Sequence, residues 1–422
     1  FGTSAEQRRH RLQFFVLARE ALIQLPAGWK GARSAEGPLP VQKCGDTIYT
    51  RVSIPSFSSV VLTRDAAASI DSQQPAETQS LPVIENEYLR AEFADDGSLA
   101  RVYDKELQRE WLTQPGNRMR MYRDIPRHFD AWDIDSTCFE APVELTQPAE
   151  FLSLCRGPLF ESVTYRRRIG NSVLEQTVTL EQGARSLTFN TQIDWNETHK
   201  LLKTEFPFAL HAEEMYNEIQ YGYIKRPTHG SRRYDKDRFE VCNHKWSAIA
   251  EETRGAAVLN DCKYGIGGTG GTLSLSLLRA SKAPDFHADI GRHSFTYAVY
   301  FWDGAFSSSG VVRQGYELNQ PATVMPGEYP LPSLLCAEGN GIIVDTVKPA
   351  ENGDGIVVRA YQSLNMAARG KFSFNLPAHS VTETDMLEQP KYPIDFDGQC
   401  WTADFSPFEV KTFHISGVVY AN

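Results

Sequence analysis

The stretch from residue 187 to residue 302 constrains the fold most, because it contains seven strand-like runs in succession with almost no helical pattern. Several of these runs alternate apolar and polar residues, the pattern of a strand with one buried face. Turn-forming sequences rich in Gly and Pro separate them. Sequential strands joined by such loops predict antiparallel sheets. The runs are Leu187–Trp195, Lys200–Leu210, Asn217–Ile224, Arg238–Ile249, Gly255–Asn260, Thr272–Leu278 and Phe295–Trp302.

The rest of the chain is also β-like, with one ambiguous segment near its start. Asp95–Gly97 lies between alternating runs and predicts a hairpin turn. Ser4–Arg11 and Phe14–Ile23 are the only segments that suggest helix. Leu12–Leu25 fits either a helix or a buried strand, because a short apolar run carries no decisive period. Gly265–Gly271 predicts a hairpin loop, since it lacks the Gly-Lys-Ser/Thr ending of a phosphate loop.

Charge and hydropathy exclude several classes of partner. The formal charge of −10 argues against nucleic acid and anionic membranes, since both require a basic surface. No apolar run approaches the roughly 20 residues that a membrane helix needs. At 422 residues the chain is expected to form two or three domains. The sequence predicts a soluble globular protein for which neutral ligands such as sugars remain open.

The cysteines and the N-terminus bear on the compartment. The seven cysteines are odd in number, scattered, and contain no Cys-x-x-Cys pair. This favours free buried thiols in a reducing compartment over a disulfide framework or a zinc knuckle. The first dozen residues show no charged segment followed by an apolar core, so no signal peptide is expected. A cytoplasmic location is predicted.

Several sequence blocks follow one another in a specific order between residues 83 and 302. An Asn86-x-x-Leu-x-x-x-Phe93 pattern is followed by the hairpin turn and then by a Val-Tyr-Asp-Lys segment at 102–105. The later blocks are Asp194–Lys203, Arg226–His229, Arg238–Val241, His244–Trp246, Leu259–Gly265 and Leu277–Asp285. In this order the blocks resemble the C-terminal β region of class II α-mannosidases, glycoside hydrolase family 38.

The resemblance implies an all-β architecture with a galactose-mutarotase-like antiparallel supersandwich, flanked by small β-sandwich segments. The expected divisions are a small N-terminal β domain at 1–63, a linker at 64–80, the supersandwich at 81–305 and a small C-terminal β-sandwich at 306–422. The strand spacing after residue 334 supports the last of these. The linker is expected because 64–80 is rich in Ala, Ser, Gln, Asp and Pro with little to bury.

The family's activity, implied by the same resemblance, is the retaining hydrolysis of α-mannosides. Such a reaction needs two carboxyl groups at a short, fixed separation, and the family carries both, with a zinc bound by His and Asp, in an N-terminal α/β barrel. This chain has no βαβ alternation. No catalytic residue, metal ligand or cofactor is therefore predicted in it, and alone it is expected to be inactive. Its expected partners are its own N-terminal catalytic barrel and a mannoside, and a homo-oligomer remains open.

The segment 127–135 holds three carboxylates and a histidine within nine residues. Its His128-Phe129-Asp130 spacing is similar to the family's zinc motif. That motif belongs to the barrel and has one more residue before its Ala-Trp pair. Metal binding is therefore not predicted here.

A different match assigns a role to the same segment. Family members follow a strand like Asn117–Tyr122 with an Asp-Ala-Trp-Asp loop, which brings an aromatic side chain to the mouth of the barrel. The resemblance implies that Trp132 offers a flat apolar face to a sugar ring, while Asp130 and Asp133 accept hydroxyl hydrogen bonds. The alternative is a loop that is tucked against the supersandwich.

Arg279 is the fourth predicted substrate-binding residue. It lies at the end of the run Thr272–Leu278, where a side chain can leave the sheet and point outward. The resemblance implies that it extends toward the substrate, and a guanidinium there could donate a forked pair of hydrogen bonds to sugar hydroxyls or to a barrel carboxylate. A rim salt bridge is the alternative.

Two functions of other classes remain open. A free-standing mutarotase-like epimerase would pair a Glu base with a His acid, and His199, His229 and His244 are candidates without an identified Glu partner. A non-catalytic carbohydrate-binding module is the other, since a β-sandwich alone does not fix function.

Overall fold

The computed structural model of the protein describes residues 9–12, 17–66 and 81–419. The described residues divide into two compact units. One contains those up to 66, Ile219–Tyr223, and those from Gln320 onward; the other contains 81 to Glu218 and Ile224–Asn319. The predicted linker at 64–80 lies mostly outside the described residues, and the predicted domain limits stay predictions.

The second unit is built from three antiparallel sheets, as the strand pattern predicted. The nine-stranded sheet contains, in pairing order, Ala149–Cys155, Phe160–Ile169, Ser172–Glu181, Ser186–Trp195, Gly291–Asp303, Arg254–Asn260, Trp246–Ala250, Glu214–Ile219 and Gly222–Pro227. The six-stranded sheet contains Pro142–Val143, Arg118–Arg123, Lys200–Pro207, Thr272–Arg279, Gly265–Thr269 and Val241–Cys242. The four-stranded sheet contains Arg109–Glu110, Leu99–Asp104, Leu89–Phe93 and Val83–Glu85. The all-β antiparallel fold is confirmed.

One hydrophobic core joins the faces of these sheets. In Ser186–Trp195 every second residue is buried, so Leu187, Phe189 and Ile193 face the core while their neighbours face solvent. Leu202 and Phe206 of the six-stranded sheet belong to the same buried cluster. Each such side chain contributes about 1.5–3 kcal/mol on burial. The alternation therefore assigns each strand one face toward the core and one toward solvent.

A closed ring of hydrogen bonds lies within this apolar core. The Asn117 amide donates to Gln176 Oε1 (2.7 Å), Gln176 Nε2 donates to the Tyr297 hydroxyl (2.8 Å), and that hydroxyl donates to Asn117 Oδ1 (2.5 Å). Tyr165 also donates to Gln176 Oε1 (2.6 Å), and Thr204 to Asn117 Oδ1 (3.1 Å). Buried polar groups are tolerated when they are satisfied in this way.

The first unit contains four smaller sheets. Their strands are Val324–Pro326, Arg9–Leu12, Val61–Arg64, Ala32–Ser34 and Gly37–Pro38; Arg19–Gln24, Thr47–Ile54 and Val41–Cys44; Leu335–Glu338, Ala368–Phe374 and Cys400–Phe405; and Ile342–Pro349, Ile356–Gln362, Val410–Ser416, Ser380–Thr384 and Pro390–Ile394. Phe372, Trp401 and Phe413 form the aromatic centre of one core cluster in this unit. The predicted strands after residue 334 are present.

Several local expectations differ from the structure. Of the two alternatives for Leu12–Leu25, helix or buried strand, the described part contains the strand Arg19–Gln24, and Ser4–Arg11, where described, is strand from Arg9 rather than helix. Most of the glycine run is the strand Gly265–Thr269, with only its end in the turn. The helix Val311–Asn319 was not predicted, and it lies in a connection after residue 304 whose flanking sequence is rich in Gly and Ser. The other helical segments within the described ranges are Arg233–Lys236 and the 3-10 turns Ser136–Glu140 and Phe306–Ser308.

The structure also bears on the cysteines and on membrane spans. The seven cysteines, all of which lie within the described residues, form no disulfide; Cys138 is buried, while Cys242 and Cys262 are exposed. The expectation of buried thiols therefore holds for Cys138 and fails for those two. No helix in the described part of the chain has the length and apolar character to cross a membrane.

Candidate functional site

Three of the four predicted site residues lie on one loop, here called the Trp132 loop (residues 124–141). It leaves the strand Arg118–Arg123 and returns through the 3-10 turn Ser136–Glu140. At its tip the backbone amides of Trp132 and Asp133 both donate to the Phe129 carbonyl (2.7 and 2.9 Å). Phe129 has a φ of 53°, a left-handed conformation that is uncommon for a bulky residue. The tip is thus a tight turn that projects its aromatic residues.

Trp132 presents an apolar face to solvent. Its side chain is 79% exposed. The exposed Phe129 ring stacks on it, with ring centroids 5.7 Å apart and an interplanar angle of 22°. Asp133 beside it is exposed, and among the described residues its carboxylate accepts no hydrogen bond. A flat aromatic face next to a free carboxylate is suited to a ligand that has both apolar C–H faces and hydroxyl groups.

Asp130 holds the loop to a neighbouring segment. Its Oδ2 accepts hydrogen bonds from the backbone amides of Lys282 (2.6 Å) and Ala283 (3.0 Å) and lies 3.2 Å from His199 Nε2. Burial raises the pKa of Asp130, but the bonds from Lys282, His199 and Ala283 outweigh it, so the pKa lies below its ordinary value. The carboxylate is therefore held in its charged form by the fold.

Arg279 lies beneath the loop and fastens it. Its guanidinium donates to Asp124 Oδ2 (2.7 Å) and to three loop carbonyls, those of Ala131 (3.2 Å), Asp130 (3.0 Å) and Asp133 (2.7 Å). The side chain is 19% exposed. The guanidinium does not point outward, as its position at the end of a strand would allow, because its donors are turned toward the chain's own carbonyls and toward Asp124, with which it forms an ion pair. Its direct contact with a substrate stays a prediction.

Asp124 is the buried partner of that arginine. Its side chain is 2% exposed, and Oδ1 is buried without a hydrogen-bond partner. Burial raises the pKa of Asp124 more than the Arg279 hydrogen bond and charge lower it. The ion pair with Arg279 is therefore the main interaction that offsets the cost of burying this carboxylate.

Sequence reasoning missed Asp124 and gave His199 a different role. The signal that identifies them is the pairing of strands. Arg123 lies opposite Lys200, and Leu201 lies opposite Arg279. The ends of the three strands that carry these residues therefore lie side by side in the six-stranded sheet. No local pattern contains that information.

The structure gives no metal centre at this segment. Among the residues that it describes, no three His, Cys, Asp or Glu side chains are grouped so that they could hold a metal ion. His128 is exposed, and Asp130 Oδ2 already accepts hydrogen bonds from the amides of Lys282 and Ala283. The zinc that the resemblance implies for the family therefore does not fit these residues.

The described residues contain no Glu–His pair at the three histidines that the epimerase alternative would use. His199 has Asp130 as its neighbour, His229 is exposed, and the His244 ring meets the edge of Tyr264 with centroids 5.9 Å apart. Within the described residues, no glutamate side chain is hydrogen-bonded to any of these three rings.

Two family models match the chain. The model described as the glycosyl hydrolases family 38 C-terminal domain matches residues 84–287, a span that includes the Trp132 loop and Arg279. The model of the family 38 C-terminal beta sandwich domain matches residues 341–413. The two matches together cover most of the chain.

Curated relatives agree with these models. The chain is 33% identical over 402 residues to alpha-mannosidase 2C1 of Mus musculus, covering 91% of this chain and 38% of the relative. It is 34% identical over 353 residues to alpha-mannosidase G of Dictyostelium discoideum, covering 78% of this chain and 32% of that protein. The chain thus spans about a third of the length of these relatives.

The fold is also found in solved structures. An alpha-mannosidase from Enterococcus faecalis V583 superposes with a TM-score of 0.73 at 14% identity, covering 98% of this chain and 56% of that one. A glycosyl hydrolase family 38 protein from Enterococcus faecalis gives a TM-score of 0.74 at 15% identity, covering 97% of this chain and 58% of that one.

Proposed function

Because this chain belongs to glycoside hydrolase family 38, as part of its C-terminal region, we propose that it lines the substrate site and supports the catalytic barrel of an α-mannosidase. The reaction proposed for the whole enzyme is hydrolysis of α-mannosides with retention of configuration. The relatives that match over most of this chain carry the name alpha-mannosidase, which supports the proposal.

One observation carries the proposal: an exposed tryptophan is displayed by a loop that the fold holds firmly. Because both rings are exposed, the pair buries little apolar surface within the chain itself. Its apolar faces suit the C–H face of a sugar ring. The hydrogen bonds made by Asp130 and Arg279 fix the backbone on both sides of Trp132. A side chain that is already fixed loses less conformational entropy on binding than a mobile one.

The four residues take different roles in this proposal. Trp132 stacks on the sugar and the free Asp133 carboxylate accepts a hydroxyl hydrogen bond. Asp130 and Arg279 act chiefly as positioning residues, because their polar atoms are engaged within the chain.

Removal of Trp132 tests the role of the loop. In the full-length enzyme, Trp132→Ala should lower kcat/KM for an aryl α-mannoside by at least about tenfold, or roughly 1.4 kcal/mol. The urea midpoint should stay unchanged, since the side chain is exposed. Tyr329→Ala is the matched control, because Tyr329 is another exposed aromatic (74%) outside the loop. Wild-type kinetics in Trp132→Ala would mean that this part of the chain is only a scaffold and does not contact the substrate.

The isolated chain is proposed to be inactive. The described residues include no metal-holding cluster, and the carboxylate pair and the zinc are assigned to the catalytic barrel. We expect no turnover of an aryl α-mannoside and no zinc by atomic absorption after gel filtration. Turnover that a chelator abolishes would contradict this directly.

The aromatic tip also suits contact with the barrel. Phe129, Trp132 and Phe286 are exposed, and the Phe286 carbonyl accepts from Lys282, whose amide binds Asp130. An exposed apolar patch of this kind is typical of a surface that another domain or a ligand covers. A cytoplasmic location for the enzyme is proposed because the seven cysteines form no disulfide among the described residues, and disulfides are rare in reducing compartments.

A further inference from the structure

The solvent face of the nine-stranded sheet carries a groove that uses none of the residues of the Trp132 loop. The groove has a volume of about 470 Å³ and is lined by residues of four consecutive strands of the sheet, among them Arg166, Glu175, Gln192 and Arg292. A second depression of about 200 Å³ shares Glu175 and Gln192 with it. The two are called the outer groove here. Its larger part falls within the roughly 300–1,000 Å³ of typical ligand sites.

The register of the strands fixes how the side chains of the outer groove are arranged. One row across the sheet contains Arg166, Glu175, Gln192 and Ser294, each opposite the next. The next row along the strands contains Thr164, Thr177, Asn190 and Thr296. Neighbouring strands lie about 4.8 Å apart. The rows therefore form a lattice of amide and hydroxyl groups at regular spacing, with short side chains at the centre and long ones at the rim.

The charges of the outer groove cancel. Arg166 binds Glu175 at 3.0 Å. Asp194 lies directly opposite Arg292 in the register, so neighbouring strands carry a second carboxylate and a second guanidinium, although these two do not form an ion pair. An anionic or a cationic ligand would therefore meet a charge of its own sign at the same rim, which disfavours both.

Several polar groups of the outer groove are not satisfied within the chain. In the described part of the molecule, the side chains of Gln192, Asp194 and Arg292 take part in no hydrogen bond or ion pair, and all three are exposed. Val173 is the one large apolar side chain exposed in the groove among the described residues, and a single such side chain does not make the apolar centre of a protein interface. The free groups can donate and accept, so they match a ligand whose surface consists of neutral hydroxyl groups.

We propose that the outer groove is a second carbohydrate site, which binds a neutral oligosaccharide by hydrogen bonds alone. It goes beyond the proposed function, since the Trp132 loop would contact the sugar that is hydrolysed and the outer groove a sugar chain that is not. Without an aromatic platform the affinity rests on a few hydrogen bonds and corresponds to a dissociation constant on the order of 1 mM.

The test uses the whole chain and an α-linked mannotriose as probe. Saturation-transfer NMR should show binding to the wild type, and Gln192→Ala combined with Asn190→Ala should weaken it at least tenfold. Both residues are on the solvent face, so the variants should fold as the wild type does. Gln147→Ala, an exposed amide outside the groove, should bind as the wild type does. Trp132→Ala should also retain the outer-groove signal, which separates this proposal from the proposed function.

Other results would overturn it. Absence of binding at 10 mM probe, about ten times the expected constant, is one. Binding that the double variant leaves unchanged is another. Tighter binding of a sulfated oligosaccharide than of mannotriose would show that the groove is an anion site. Sedimentation of a dimer that Gln192→Arg converts to monomer would show that the face contacts a second copy of the chain.

Discussion

At the scale of single residues, the arrangement depends on how Arg279 is used. The sequence indicates a basic side chain at the end of a strand, a position from which most side chains reach solvent. Its guanidinium instead binds a carboxylate and three carbonyls of a loop about 150 residues earlier in the chain. Tertiary contacts of this length have no local signature, so the identity of the residue could be predicted and its orientation could not.

Arg279→Ala should destabilise the protein by about 2–4 kcal/mol, because it leaves the buried Asp124 carboxylate without its counter-charge. The loss should be largest near neutral pH. The pKa of Asp124 already lies above its ordinary value of 3.8 through burial, and loss of Arg279 raises it further. A carboxyl with a raised pKa adds stability at low pH that is lost as pH rises through the folded-state pKa. The defect should therefore shrink toward pH 4 in urea titrations.

A second substitution checks this cause. Asp124→Asn in the Arg279→Ala background should recover part of the lost stability, because an uncharged amide costs less to bury than a carboxylate. If the double variant is no more stable than Arg279→Ala alone, the uncompensated charge is not the source of the defect.

The lowered pKa of Asp130 predicts that the attachment of the loop to the Lys282 and Ala283 amides weakens in acid. Its pKa lies below the ordinary value of 3.8, so the stability it contributes is present above that value and is lost as pH falls through the lower folded-state pKa. Hydrogen-exchange protection of the Lys282 and Ala283 amides should be high at neutral pH and fall below about pH 4. In Asp130→Asn, protection should be lower at neutral pH and show no such step. Equal pH profiles in the two proteins would exclude Asp130 as the cause.

At the scale of elements, alternation was a reliable guide and short apolar runs were not. The run Leu187–Trp195 matches the strand Ser186–Trp195, because one buried face forces a period of two. The run Asn217–Ile224 is divided by a hairpin turn into Glu214–Ile219 and Gly222–Pro227, since both strands are β-like and the turn residues carry no Gly-Pro signal. The position of the Trp132 loop could be predicted from its motif. The hydrogen bonds that hold it, made by Asp130 and Arg279, depend on the register of the sheet.

The helix Val311–Asn319 was missed for a different reason, because its composition does not indicate a helix. It lies in a connection whose flanking sequence is rich in Gly and Ser, and its own nine residues include Gly315. A Cβ at Gly315 would lie 2.8 Å from the Trp246 ring, so the glycine permits close packing of the helix on that ring. Composition indicates a loop here, while tertiary packing makes a helix.

At the scale of the whole molecule, the hydrogen-bond ring in the core makes the sandwich sensitive to a single amide. Gln176→Leu should cost about 3 kcal/mol or more, because it leaves the Asn117 amide and the Tyr165 and Tyr297 hydroxyls buried without full partners. Gln192→Leu on the solvent face of the neighbouring strand is the matched control and should change the free energy of unfolding by less than about 0.5 kcal/mol. Similar losses in both variants, measured by urea unfolding, would mean that the ring contributes nothing specific.

The hydrogen bonds and ion pairs that hold the Trp132 loop have a consequence for how enzymes of this kind diversify. Asp124, Asp130, His199, Arg279 and the amides of 282 and 283 all lie between residues 84 and 287, the span of one family domain. Within the part of the chain that the structure describes, the hydrogen bonds and ion pairs that hold the loop all come from that domain. A gene fusion that placed this span beside a different catalytic domain would carry the loop with it in its present shape, so the exposed Trp132 face could be recombined without having to evolve again.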